Sequence, residues 1–271
     1  MIYADNAATT ALDIDAFEAM KPYLLKEYGN ASQPYSFARS AKKALAAARK
    51  TIADCIGAQP EEIFFTSGGT ESDNWAIKGT LQYGDGRAIL TSQIEHHAIL
   101  NACASVERLG YPVVYLSVDQ KGVLTPATLN KFITGNTKLV SVMLVNNEIG
   151  TIEPIKELAE IAHIHGAFFH TDAVQAVGHI PVNVKVLGID MLSASAHKFN
   201  GPKGTGFLYI RKGTDIHSLV DGGAQEFGMR AGTENIAAIV AMAEALRKNC
   251  AHMDETESLS LIHISEPTRL D

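Results

Sequence analysis

Two rhythms of apolar positions alternate along the chain. Leu45, Ala48, Ile52 and Cys55 recur at helical spacing within 38–56, and Gly57 follows as a stop. Ile63-Phe64-Phe65-Thr66 is a short apolar run with no polar alternation, the pattern of a strand buried on both faces. A helix is then expected over about 71–81, a strand at Ala88–Ser92, and a helix over 98–109 with Ile99, Ala102, Val106 and Leu109 on one face. Residues 112–118 are β-branched and strand-like, and Thr125-Pro126 opens a helix to Ile133 as an N-cap followed by proline. The clearest buried strand is 138–145. Pro154 opens a helix that Gly166 stops, strands follow near 167–170, 190–193 and 206–211, and 237–251 reads as a final helix. Apolar strands separated by amphipathic helices predict an α/β fold with a mostly parallel sheet flanked by helices.

Composition keeps this picture and narrows the function. The chain has 271 residues, 46% of them hydrophobic and 20% charged, which suits a globular protein with a sizeable core. The net charge of -7 without a basic run argues against a nucleic-acid partner, and no apolar run approaches a membrane span. Cys55, Cys103 and Cys250 form no Cys-x-x-Cys or Cys/His metal spacing, so no metal is expected, and few unpaired cysteines suit a reducing cytoplasm. Cys55 and Cys103 fall on or beside apolar helix faces and are expected to pack structurally.

In parallel sheets ligands bind at the carboxyl ends of the strands, and the unusual polar clusters fall there. Lys198 closes Ser193-Ala194-Ser195-Ala196-His197-Lys198, ahead of a Gly/Pro turn, and Asp172 follows the apolar stretch that ends at His170. A turn lysine and a strand-end carboxylate are what pyridoxal phosphate (PLP) requires, one to carry the cofactor and the other to keep its ring nitrogen protonated, although taken singly the lysine also reads as a solvated surface group and Asp172 as a helix N-cap. Ser67-Gly68-Gly69-Thr70 joins a strand to a helix, as either a phosphate cradle or an ordinary capped turn. Ser195 and His197 offer further donors to the same phosphate. His96 lies just past a strand, where an imidazole can stack on a flat ring and exchange protons, although a polar-loop histidine needs no such role. Asn147 ends the buried strand as a ligand amide or a turn residue, and Gln175 follows Asp172 by about one helical turn.

With Tyr3–Thr10, Thr66–Asn74, Glu95-His96, Val145–Gly150, His170–Gln175, His197-Lys198 with Gly201–Gly204, and Met229–Asn235 in order, the chain resembles a cysteine desulfurase of the NifS/IscS type. That family is a class V branch of the fold-type I PLP enzymes, so the expected fold is their large domain. The resemblance implies that Lys198 carries PLP and later removes the substrate Cα proton. It places Asp172 on the pyridine nitrogen, Gln175 on the ring hydroxyl and His96 on the ring, where it assists proton transfer. Gly69, Thr70, Ser195 and His197 hold the phosphate, Asn147 contacts cofactor or substrate, and Thr233 reaches the phosphate of a neighbouring subunit, implying a homodimer. The implied reaction converts L-cysteine to L-alanine, leaving sulfur as an enzyme persulfide for iron–sulfur cluster assembly through a scaffold or other sulfur acceptor. A related class V lyase or aminotransferase such as a selenocysteine lyase, or a non-catalytic PLP-binding fragment, are the alternatives.

The expected organisation is an N-terminal segment (1–15), a PLP-binding large domain (16–257) and a tail (258–271). Leu259–Arg269 resembles the translation of a sequencing-library adaptor, and the native reading is expected to end near Glu257 or Ser258. The family's nucleophilic cysteine lies in a C-terminal small domain that is expected to be largely missing. None of the three cysteines is expected to replace it, and the chain as written is expected to be inactive.

Overall fold

The computed structural model describes residues 3, 5–81 and 86–256; the expected tail, 258–271, lies outside the described residues. The elements run α1 (Ile14–Leu25), α2 (Arg39–Ile56), β1 (Ile63–Thr66), α3 (Gly69–Gly79), β2 (Ala88–Ser92), α4 (His97–Glu107) and β3 (Val113–Leu116). They continue with α5 (Pro126–Phe132), β4 (Thr137–Ser141), α6 (Ile155–Ile164), β5 (Phe168–Asp172), α7 (Val184–Leu187), β6 (Met191–Ser195), β7 (Gly206–Ile210) and α8 (Ile236–Ala251). One mixed sheet has the order β1-β7-β6-β5-β4-β2-β3. β3, β2, β4, β5 and β6 pair in parallel, while β7 runs antiparallel to both β6 and β1.

Successive strand residues enter opposite cores, as the pleat demands. Phe65, Val140, Leu192 and Tyr209 join Ile52 of α2, Leu158 of α6 and Leu246 of α8 on one face. Their neighbours Phe64, Leu139, Met191 and Leu208 join Trp75 of α3 and Ile99 of α4 on the other. This double burial is why the strands read as continuous apolar runs.

The sequence pattern did not announce α1, whose interior holds Pro22. Asp13 caps it, accepting from the amides of Asp15 (2.8 Å) and Ala16 (3.2 Å), and Lys248 of α8 bridges Asp13 and Asp15. The run expected as strand 138–145 is regular only to Ser141. Beyond it the amides of Val142 and Leu144 still donate to the carbonyls of His170 and Asp172, so the segment stays buried and extended beside β5 after it leaves β2.

A buried ion pair anchors β1. Arg49 donates to both carboxylate oxygens of Glu226 at 2.7 and 2.8 Å, and to the carbonyl of Ile63. Glu226 also accepts from the amide of Phe65, and the guanidinium lies 4.4 Å from the Phe65 ring centroid. Removing one partner of such a pair strands a buried charge. Arg49→Ala is therefore expected to lower the unfolding free energy by about 3–5 kcal/mol, whereas Arg49→Met combined with Glu226→Gln, which keeps an acceptor for the Phe65 amide, recovers part of it. Urea denaturation of the two variants checks both.

Candidate functional site

The carboxyl ends of the strands surround a cavity of about 220 Å³. It is lined by Gly69, Thr70, His96, Asn147, Asp172, Gln175, Ser195, His197 and Lys198, nine of the ten residues singled out from the sequence. The tenth, Thr233, lies apart, in a neighbouring hollow with Ser67, Thr205 and Arg230.

β6 carries Ser195 and runs straight into a 3₁₀ turn, Ala196–Lys198, which presents the lysine. Lys198 is half-buried, and its Nζ donates to the carbonyls of Ala7 and Ala8 (3.0 Å to Ala8). Desolvation pulls its ammonium below the usual lysine range, with Asp172 and Asp5 partly opposing. Gln175 donates to the same Ala7 carbonyl at 3.0 Å. Thr9 meets His197 Nδ1 at 3.1 Å, and the amide of Thr10 donates to the His197 carbonyl at 2.9 Å. The N-terminal segment is thus hydrogen-bonded across the site. Burial holds the His197 imidazolium below its usual range, and the Lys198 and Lys203 charges push the same way.

The β1–α3 turn is shaped by missing side chains. Gly68 has φ +144°, and a Cβ on Gly69 would sit 2.6 Å from Val174 Cγ2. The bare first turn of α3 thereby reaches Ser195, and a second hollow joins it to His197 and Lys203. Backbone amides at a helix start beside these donors suit an anion. Arg230 grips Glu71 with two hydrogen bonds of 2.8 and 3.0 Å, and Glu71 accepts from the amide of Ser67, which fixes the turn.

His96 caps α4: its Nδ1 accepts from the amide of Ala98 at 3.1 Å, so the proton of the neutral ring sits on Nε2. Asn146 is consumed structurally, donating to the Ile94 carbonyl at 2.9 Å, and leaves Asn147 as the amide at the cavity.

The floor is acidic, and this the sequence reading missed. Asp73, one helical turn after Gly69, is 1% exposed, and its Oδ1 has no hydrogen-bond partner among the described residues. Donor atoms of Asp73, His96 and Asp172 all lie within 4.8 Å of one another. Burial and the Asp172 charge raise Asp73 well above the carboxylate range, and burial also raises Asp172, against the Val174 amide, His96 and Lys198. Two such neighbours cannot both ionise without a cation between or beside them. His170 does not supply it. Fixed between Ser141 (2.9 Å) and Ser193 (2.9 Å), it is pushed down by burial to about 3 and stays neutral. The trio is compact enough for a metal ion. The adjoining lysine and glycine-lined anion cradle suit instead an organic cation that also carries a phosphate. The only available sign of Asp73 was its place in Gly-Gly-Thr-Glu-Ser-Asp, one turn from the cradle.

The sheet order, the lysine turn after β6 and the acid at the end of β5 define the large domain of a fold-type I PLP enzyme. Over residues 2–262 the chain matches the aminotransferase class-V family, and it belongs to that family. It is 53% identical to cysteine desulfurase IscS of Dictyoglomus turgidum, over 94% of this chain and 65% of that protein. With cysteine desulfurase IscS of Methanosarcina thermophila it shares 51% identity, over 94% and 64%. The chain therefore spans about two thirds of the length of these relatives. Among solved structures, a NifS-like protein superposes with a TM-score of 0.93 at 39% identity, covering 95% of this chain and 72% of that one. SspA in complex with cysteine gives 0.89 at 37%, covering 97% and 78%.

Glu95, behind the cavity, yields a pH prediction. Its Oε1 accepts from Ser92 Oγ (2.6 Å) and the Met143 amide (3.1 Å), Oε2 has no partner among the described residues, and burial pushes the carboxyl up to about 8. The folded state keeps a proton that the unfolded chain releases above about 4.3, so this group's contribution falls as pH rises through that window. Glu95→Gln keeps the acceptor and needs no proton. Its melting temperature is expected to exceed the parent's by an amount that grows between pH 5 and 8; a pH-independent difference would refute the assignment.

Proposed function

We propose that the cavity binds PLP and acts on L-cysteine, and that the chain is the cofactor-binding part of a cysteine desulfurase. The observation that carries this is one cavity uniting a desolvated lysine, a strand-end carboxylate, an imidazole and a glycine-lined anion cradle. The relatives named cysteine desulfurase support the substrate.

The donor set fits the cofactor. Gly69, Thr70, Ser195 and His197 would hold its phosphate, Gln175 its ring hydroxyl and Asp172 its pyridine nitrogen, with His96 against the ring and Asn147 beside cofactor or substrate. When bound, PLP supplies an electron sink that lowers the barrier to breaking bonds at the substrate Cα. Asp172 would contribute by ionising beside a protonated ring nitrogen, with Asp73 keeping its proton. Lys198 contributes in two ways, first by holding the cofactor, then by accepting the substrate Cα proton at Nζ. Its depressed basicity places more of the amine in the neutral form that both roles need. Both Lys198 and Gln175 are spent on the Ala7 carbonyl, and loading requires them to let it go. His96 is placed to pass a proton through Nε2.

The overall conversion takes L-cysteine and an acceptor thiol to L-alanine and a persulfide. None of the three cysteines lines the cavity, so the acceptor thiol reaches the substrate from elsewhere. The homodimer, with Thr233 serving the neighbour's phosphate, and delivery to an iron–sulfur scaffold in the cytoplasm belong to the same reading.

Incubation with PLP followed by borohydride reduction is expected to label the Lys198 peptide, and Lys198→Ala to abolish that label. The loaded protein is expected to change its visible absorbance with L-cysteine and not with D-cysteine. Undiminished labelling of Lys198→Ala would overturn the lysine's role, and sustained alanine and persulfide production by this chain alone would overturn the placement of the acceptor thiol.

A further inference from the structure

Away from the cofactor cavity, the last turns of α2 and α8 bring together two thiols far apart in sequence. Cys55 and Cys250 line one open hollow of about 540 Å³, whose wall also holds Met253, Asn183 and Val186. Both cysteines are half-buried, and both pack at the margin of the larger core. Each thiol is the strongest influence on the other's acidity. The third cysteine, Cys103, is fully buried in the opposite core and serves as an internal control.

The hollow is held in shape from both sides. Gly57, the left-handed stop of α2 at φ +72°, lies so close to Asn183 that a Cβ would sit 2.7 Å from its Nδ2. Asn183 in turn caps α7, accepting from the amides of Lys185 and Val186 at 3.1 Å each. Cys55 therefore sits at a fixed helix end, on a helix that packs along α8, which lowers the ordering cost of binding an ion between the two.

We infer that Cys55 and Cys250 form a binding site for a thiophilic d¹⁰ cation such as Cu(I), with the Met253 thioether as a third soft donor. Thiolate and thioether sulfurs select such ions over hard oxygen-seeking cations. Binding displaces the thiol protons of both Cys55 and Cys250 to solvent. The ion would link the end of α2 to the end of α8, and does not depend on the PLP reading.

The test is an anaerobic titration of the reduced 271-residue chain with Cu(I) against a chromogenic Cu(I) chelator, with thermal melts in parallel. One ion per chain and a raised melting temperature are expected. Losing an outer-shell partner already costs about 10–100-fold in metal affinity, so Cys55→Ser and Cys250→Ser are each expected to cost more than about 100-fold and to abolish the thermal shift. Met253→Leu is expected to weaken binding less, and Cys103→Ala to leave it unchanged. Melts without copper separate loss of the site from loss of the fold. Absence of competition for Cu(I), retention of the ion by the Cys55→Ser/Cys250→Ser double variant, or dependence on Cys103 would each overturn the proposal.

Discussion

A contact made by backbone alone governs this molecule. A Cβ on Gly206 of β7 would sit 2.4 Å from the Ala194 carbonyl and 2.7 Å from Gly68 Cα. A Cβ on Gly69 would collide with Val174, two residues past Asp172. The cradle after β1, the lysine-bearing end of β6 and the acid-bearing end of β5 therefore meet at a point where no side chain fits. Widening it by one methyl group would part the anion-binding turn from Lys198, since real cores yield little to added volume. The site's compactness follows from this close packing.

The electrostatics follow from the same closeness. Three carboxyl groups (Asp73, Glu95 and Asp172) are drawn out of water behind the cavity, and all three lean toward their protonated forms. The buried imidazole behind them, His170, is neutral and occupied by two serines. Lys198, at the rim, is pushed the other way. A site of this kind disfavours charge on every member until a ligand supplies the complementary one, and a cationic heterocycle with an anionic tail complements the floor and the cradle together.

Much of this was legible before any coordinates. Apart from the one-turn α7, which the pattern did not announce, helices and strands between 38 and 211 stand within a few residues of their expected places, because double burial imposes continuous apolar runs on the strands and the helices carry apolar stripes. The lysine turn and the acid showed through for a chemical reason: polar residues ending apolar strands are costly unless used. What stayed hidden depends on tertiary contact. α1 is held by its cap and by Lys248 of α8, against the discouragement of Pro22. Asp73 hides inside a helix pattern, and only the fold puts it beside Asp172. Cys55 and Cys250 have no motif spacing at all; helix packing makes them neighbours.

The position of β7 sets a schedule for synthesis. β1 leaves the ribosome early, yet among the described residues it pairs only with β7, the latest described strand of the sheet in chain order. Until then β1 is an apolar ribbon without its sheet partner, and the cradle behind it has no β7 to hold it against β6. A nascent chain stalled before Gly206 would hold the parallel strands and lack the binding site, with an edge exposed to wrong partners. β7 thus completes the described sheet and brings the cradle to the end of β6 in one step.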